Sequence, residues 1–451
     1  MNQPSQIAET LNRTVKIALD TGEASTIVDA ERIFAGYKLQ IVAGPDVAES
    51  AVLQAGLLTA VNCAARCFLG GVTVVGAPWQ LRVSLPGFSD LAQAVTALGG
   101  LPTGLAASQT PTLVFGDVSV QDLDHLAVRA TFNEWCGGVV PVASGVRLGE
   151  QGAFTPAGVF AGAIGVAEIF QRLRGGCPLA CRRATGLDLW CPERNWLRGE
   201  PAVPLTRLPS SAWIVGLGNL GQAYLWTLGL LPYGEKLPEL VLQDFDVLAP
   251  SNLSTSLLTF PALIGRQKSR ALAEWAERRG FRAAIIERRF ASDFRVDRLE
   301  PQVALVGVDN PLARQSVEEV GFGRVIEAGL GAGPRDFLGI DLHTFPAERP
   351  ARDVWREAAR AEIDISPRAY QTLLEESGDP CGTLRLAGRS IGAPFVGAAA
   401  ATLVVAELVR LAIGAPRYEL ISCHLRDLDS RTVIAGKSWT PFNSGSVQAA
   451  A

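Results

Sequence analysis

A turn built on three glycines lies between two short apolar runs, and few folds accommodate that combination. Ala212 to Val215 reads as a buried strand that feeds directly into Gly216-Leu217-Gly218-Asn219-Leu220-Gly221. The glycines permit a tight turn and let a phosphate approach bare backbone N–H groups at a helix start. A second run, Leu240 to Leu242, ends in Asp244 and Asp246. The first of these acids stands about 20 residues past the last glycine, where a βαβ unit places its ribose-binding carboxylate. Glycines in this spacing also serve close helix–strand packing. The strand before them and the acid-ended strand after them favour a nucleotide. The fold class that follows is α/β, doubly wound, with its ligand at the carboxyl ends of the strands.

Which nucleotide is settled by what comes next. A nicotinamide dehydrogenase accounts for the glycines and Asp244, but has no use for Ser251-Asn252-Leu253, for Gly265-Arg266-Gln267-Lys268, or for Val308-Asp309-Asn310 with Arg314 nearby. An acidic pair, then SNL, then a lysine at a helix start, then a strand ending in Asp-Asn resembles the adenylation fold of ubiquitin-activating (ThiF-type) enzymes. Their bacterial relatives activate sulfur-carrier proteins. The resemblance runs from about residue 208 to 420, and the order of its four motifs makes it specific. It implies ATP with Mg²⁺. Gly216, Gly218, Gly221, Asp244, Asp246 and Asn252 would hold the nucleotide, Lys268 the phosphates, and Asp309 the metal. The plainer alternatives are a solvated lysine at a helix start and an aspartate that caps a helix.

One position departs from the family. SNL usually continues into Asn-Arg-Gln, whose arginine contacts phosphate, but here Thr255 stands at that place. Arg266, Arg270 and Arg32 are the candidate substitutes, and Arg32 fits the family's habit of delivering an arginine from the partner domain. The modifier-activating branch next forms a thioester. Cys381, in the loop-like GDPCGTLRLAGRS between two helices, is the candidate nucleophile, with Arg385 or Arg389 as its positive neighbour. The alternative is a loop cysteine without a role.

Composition narrows the setting. Hydrophobic residues at 48% with charged residues at 19% describe a chain that packs cores of its own. A net charge of −4 leaves no electrostatic footprint for DNA or RNA. No basic start followed by an apolar run opens the chain, and Ala393 to Ala406 is short for a membrane span. A cytoplasmic protein with no membrane partner is expected. Eight cysteines include no CxxC pair, so they read as free thiols rather than a structural zinc site.

The chain also contains an internal echo. PAGVFAGAIGVAEIFQRL (156 to 173) resembles PFVGAAAATLVVAELVRL (394 to 411), with Gly158, Ala161, Val166, Ala167 and Glu168 repeated as Gly397, Ala400, Val405, Ala406 and Glu407. Two alanine-rich core helices could match by composition alone; a duplication is the other reading. On that reading the chain divides into a degenerate adenylation domain (1 to 176), a connecting segment (177 to 207) and an active domain (208 to 451). The two would pack as an internal pseudo-dimer, as in eukaryotic activating enzymes, with a further homo-oligomer possible. In the first half, Tyr37 to Ala43, Val72 to Val75, Thr112 to Phe115 and Val139 to Val142 read as strands. Ala48 to Phe68 and Asp122 to Cys136 read as helices. The tail GSVQAAA is expected to be frayed.

The leading expectation is an enzyme that adenylates the C-terminal glycine of a ubiquitin-like protein, holds it on Cys381, and passes it to a conjugating enzyme. The resemblance further implies an operon setting, some such operons being antiviral. A sulfur-carrier adenylyltransferase and a non-catalytic nucleotide-binding scaffold are the competing readings.

Overall fold

The computed structural model describes residues 4–119, 126–198, 203–356, 363–437 and 442–450. The chain opens with α1 (Pro4–Thr10), α2 (Lys16–Asp20) and α3 (Ile27–Ala35). Seven strands follow: β1 (Leu39–Ala43), β2 (Val72–Val75), β3 (Leu101–Thr103), β4 (Thr112–Phe115), β5 (Ala127–Asn133), β6 (Cys136–Pro141) and β7 (Thr185–Asp188). They form one sheet in the order β3-β2-β1-β4-β5-β6-β7, connected through α4 (Ala51–Cys67), α5 (Leu91–Ala97) and α6 (Thr155–Arg174). β1 to β5 run parallel, and β6 and β7 extend the sheet antiparallel.

After a short strand, β8 (Arg207–Pro209), the second sheet repeats this plan. It uses β9 (Ser211–Val215), β10 (Glu239–Gln243), β11 (Arg282–Ile286), β12 (Val303–Val306), β13 (Arg324–Leu330), β14 (Gly339–Phe345), β15 (Tyr418–His424) and β16 (Asp427–Ala435). The order is β11-β10-β9-β12-β13-β14-β15-β16, parallel through β13 and antiparallel beyond it. Its helices are α7 (Asn219–Gly229), α8 (Lys268–Arg278), α9 (Pro311–Gln315), α10 (Ala351–Val354), α11 (Arg368–Ser377), α12 (Pro380–Ala387) and α13 (Pro394–Ala412). The fold is therefore α/β with two Rossmann-like, doubly wound halves of matching topology. In each half the strand order reverses beside the first strand, between β1 and β4 and between β9 and β12. That reversal opens a crevice at the carboxyl ends of the strands.

The echoed helices occupy equivalent places, α6 before β7 and α13 before β15. The repeated glutamates do the same work in both. Glu168 accepts the Cys181 amide at 2.8 Å, and Glu407 accepts the Tyr418 amide at 3.2 Å while pairing with Arg410. Each buried carboxylate thus ties its helix to the chain returning into the sheet. Burial pushes the Glu168 carboxyl above its ordinary value of 4.5. A raised folded-state pKa stabilises fully below the unfolded value, and that contribution fades as pH rises through the folded one. Glu168→Gln keeps an oxygen for the Cys181 amide and removes the titration. We expect this variant to gain stability relative to the parent as pH rises from 4.5 towards 8, measured by denaturant unfolding at a series of pH values.

The halves meet through helices, with α13 packing against α4, α6 and α7. Small residues allow close approach within that layer: a Cβ at Gly158 would collide with the Val52 carbonyl oxygen, and one at Gly162 with that of Gly56. α13 is long and apolar enough by composition to cross a membrane, but 89% of its apolar window is buried inside the fold.

Three expectations need correction. The reading of Asp122 to Cys136 as a helix fails from Ala127 onward, where β5 and the start of β6 lie; residues 122 to 125 fall outside the described residues. Val128, Ala130 and Phe132 alternate with Arg129, Thr131 and Asn133, which is a strand period. The segment read as a connection supplies β7 to the first sheet, because the antiparallel β6 presents an edge for it. The tail is not frayed through Gln448: β17 (Ser446–Gln448) pairs with β8.

Candidate functional site

At the end of β9 the chain turns at Gly216, whose φ of 84° suits glycine. A Cβ at Gly221 would strike the Gly216 carbonyl, so the first turn of α7 packs directly on the glycine turn. Gly218 caps α7, and a Cβ there would meet nothing within 4 Å. The space in front of this helix N-terminus is therefore open, and its free N–H groups favour an anion.

Asp244 follows β10 and holds the turn. One of its oxygens accepts the Leu217 amide at 2.7 Å and the other the Asp246 amide at 2.8 Å. Lys268, the first residue of α8, places Nζ 3.0 Å from Asp246 and 3.7 Å from Asp244. Asn252 shapes its own loop by accepting the Ala249 amide at 2.9 Å. Across the reversal, Asp309 follows β12. Its neighbour Asn310 caps α9 by accepting from Leu312 at 2.9 Å. The capping alternative thus belongs to Asn310, and Asp309 is exposed, with no hydrogen-bonded or ion-paired partner among the described residues. Gly216, Gly218, Asp244, Asp246, Asn252, Lys268 and Asp309 line one cavity of about 970 Å³. A ligand of nucleotide size suits that volume.

The arginines are placed differently from expectation. Arg32 is at the surface of α3, its side chain 72% exposed and paired with Asp29 at 2.7 Å. Arg266 pairs with Glu274, Arg270 with Glu287, and neither lines the cavity. The arginine that does enter it from the N-terminal half is Arg13. Its amide bonds Ser254 Oγ at 3.1 Å, its Nη1 reaches the Ser390 carbonyl at 3.4 Å, and its chain runs beside Thr255 at Gly392. Burial and the neighbouring Arg389 lower the Arg13 pKa to about 10, while Asp309 opposes the shift. Nothing in the spacing of LNRTV marks Arg13; the signal is three-dimensional, since Thr255 leaves room beside it. Arg314, also on the wall, is held by the Val308 carbonyl at 2.7 Å and the buried Glu327 at 3.2 Å. We expect Arg13→Ala to weaken ATP affinity about tenfold, the loss of one charge-assisted contact, and Arg32→Ala to leave it unchanged, measured by calorimetric titration.

Cys381 is the second residue of α12 rather than a loop residue, and Asp379 caps that helix through the Gly382 amide at 2.9 Å. Of the eight free cysteines it alone is exposed. Burial drives the thiols of Cys63, Cys136 and Cys423 up to about 12. Arg385 is engaged by Glu9 at 2.7 Å, and Arg389 lies at the opposite end of α12. That end lines the cavity through Arg385, Gly388 and Arg389, whereas Cys381 does not line it.

The corresponding crevice of the first half is filled by its own side chains. Asp46 Oδ1 accepts the Asp117 amide at 2.7 Å, and Arg147 bonds Asp46 and Glu150 and reaches Asp117 at 3.6 Å. A Cβ at Gly44 would collide with the Asp117 backbone. Carboxylates occupy the place that the second half leaves open to an anion.

Known proteins place the chain. Residues 38–189 match the BilD N-terminal domain and residues 208–415 the BilD C-terminal domain. A bacterial E1-like protein BilD of Collimonas sp. (strain OK412) is 40% identical over 434 residues, 94% of either chain. The chain belongs to the BilD family. The first matched region contains the whole first sheet, and the second contains β9 to β14 and most of the cavity lining, to which Arg13 adds from outside both. Among solved structures, E. coli MccB with ATP shares 13% identity at a TM-score of 0.34, covering 51% of this chain and 65% of that one. The chain thus spans slightly less than two thirds of MccB. E. coli tRNA N6-threonylcarbamoyladenosine dehydratase, TcdA, shares 13% at a TM-score of 0.29, covering 45% of this chain and 84% of that one.

Proposed function

We propose that this protein activates a ubiquitin-like modifier by adenylating its C-terminal glycine and then carrying it as a thioester on Cys381. The observation that carries the reading is the convergence of the open glycine turn, Lys268 and Asp309 on one cavity. The triphosphate lies along the N-terminus of α7, with Lys268 and Arg13 balancing its charge. Among the described residues no group of three acidic, His or Cys side chains is placed to hold a metal ion. Mg²⁺ suits such a site because it binds through substrate phosphates plus one or two carboxylates, and Asp309 is the carboxylate left to it. Bound there, it would offset the charge of the leaving pyrophosphate.

In the first step an oxygen of the modifier's carboxylate attacks the α-phosphorus, and the bond to pyrophosphate breaks. Lys268, Arg13 and the helix N-terminus supply alignment and positive charge rather than covalent chemistry. In the second step the Cys381 thiolate attacks the acyl carbon and AMP leaves. Cys381 lies outside the cavity, about 6 Å along α12 from the cavity-lining Arg385 at the helical rise. A shift of α12 would bring its thiol to the adenylate. A conjugating enzyme then receives the modifier.

The first half serves as the non-adenylating partner in an internal pseudo-dimer, which accords with the carboxylates filling its crevice. Eight free thiols suit a reducing cytoplasm, and an antiviral conjugation operon is the setting we favour. ATP–pyrophosphate exchange tests the reading, assayed with small proteins ending in glycine that are encoded beside this gene. Stimulation of exchange by such a protein is the expected result. Adenylation with no reducible conjugate would instead favour a sulfur-carrier role.

A further inference from the structure

We propose that Arg66, on α4 of the half without a glycine turn, is the positioning residue for the nucleotide loop of the other half. The proposal rests on the cavity being a nucleotide site. Arg66 is buried and has no carboxylate partner among the described residues. Its guanidinium instead donates to three loop carbonyls, Leu253 at 2.6 Å, Leu257 at 3.0 Å and Thr259 at 3.2 Å. Asn62, one turn earlier, accepts from Arg66 Nε at 3.1 Å and donates to the Leu257 carbonyl at the same distance.

The loop is clasped from its other side as well. Gln222 of α7 accepts from the Leu258 amide and the Thr259 hydroxyl, both at 3.0 Å. Residues 253–259 thus lie between a helix of the first half, which takes their carbonyls, and the helix that begins at the glycine turn. The Arg66 carbonyl also accepts from Asn12 at 2.8 Å, fixing the strap that brings Arg13 onto Ser254. A buried guanidinium is tolerated only while its donors are satisfied. One loop shape satisfies Arg66, and that shape sets Asn252 and Thr255 on the cavity wall. The first half therefore keeps a function in nucleotide binding although its own crevice is filled.

The test is Arg66→Lys in the full chain, because an ammonium cannot span three carbonyls as the guanidinium fork does. MgATP affinity is measured by calorimetry, the melting temperature by scanning calorimetry, and amide exchange across 251–259 by mass spectrometry. Affinity of the folded variant should fall about tenfold or more, with faster exchange confined to the loop. A purely structural arginine would lower the melting temperature and leave the affinity of folded protein unchanged. Asn62→Ala, which removes the acceptor for Nε and one loop bond, provides the same readout should Arg66→Lys not fold. Parent-like ATP affinity in a folded variant overturns the proposal while leaving the nucleotide site intact. A parent protein that binds no MgATP overturns both.

Discussion

Cys381→Ser should retain modifier-stimulated ATP–pyrophosphate exchange and lose every DTT-sensitive conjugate. The expectation follows from separation along α12. Cys381 does not line the cavity, so its side chain contributes nothing to phosphate alignment, and serine fits an exposed second position of a helix without strain. Exchange should stay within about twofold of the parent, the range of a surface substitution. The conjugate, read on non-reducing gels, should fall to background, because no other thiol is both exposed and free of a core environment. A reducible conjugate surviving in Cys381→Ser moves the acceptor elsewhere. Cys191, partly exposed beside Tyr418 and Glu193, would then be next to examine.

The second large effect concerns Asp309. Asp309→Ala removes the cavity carboxylate that no amide, lysine or cap engages, and with it the residue that the proposed function assigns to Mg²⁺. Loss of a preorganised charge at a phosphoryl-transfer centre costs about 3–4 kcal/mol, or 10²–10³ in rate. Exchange activity should drop by that factor. The melting temperature should hold within about 2 °C, since Asp309 carries no internal bond that its loss would break. Asn310, by contrast, caps α9, so Asn310→Ala should cost about 1 kcal/mol of stability. The pair separates the site residue from the structural one beside it.

Much of the candidate site was legible because its residues lie at strand ends and helix starts, where sequence period and chemistry coincide. The glycine turn, Asp244, Lys268 and Asp309 each follow an apolar run or open a helix, and all reach one cavity. Arg13 was not legible, since it belongs to a strap between two short helices and is brought in by hydrogen bonds to residues 241 and 377 positions away. Arg32 was a reasonable substitute on the chain, but it is exposed on α3, no residue of which lines the cavity. Asp122 to Cys136 was misread because a strand buried along nearly its whole length looks helical unless its polar positions are counted in twos. The duplication was visible in one helix only. Its meaning lies in the matching strand order, and in a buried glutamate that makes the same tie in both halves.

The direct measurement of the central claim is calorimetric titration of MgATP into the parent protein and into Lys268→Ala. If the lysine, the glycine turn and the aspartate surround one triphosphate, the parent binds a single nucleotide per chain and Lys268→Ala binds at least tenfold more weakly without losing its fold. Equal affinity in the two proteins, or two nucleotides per chain, would contradict it.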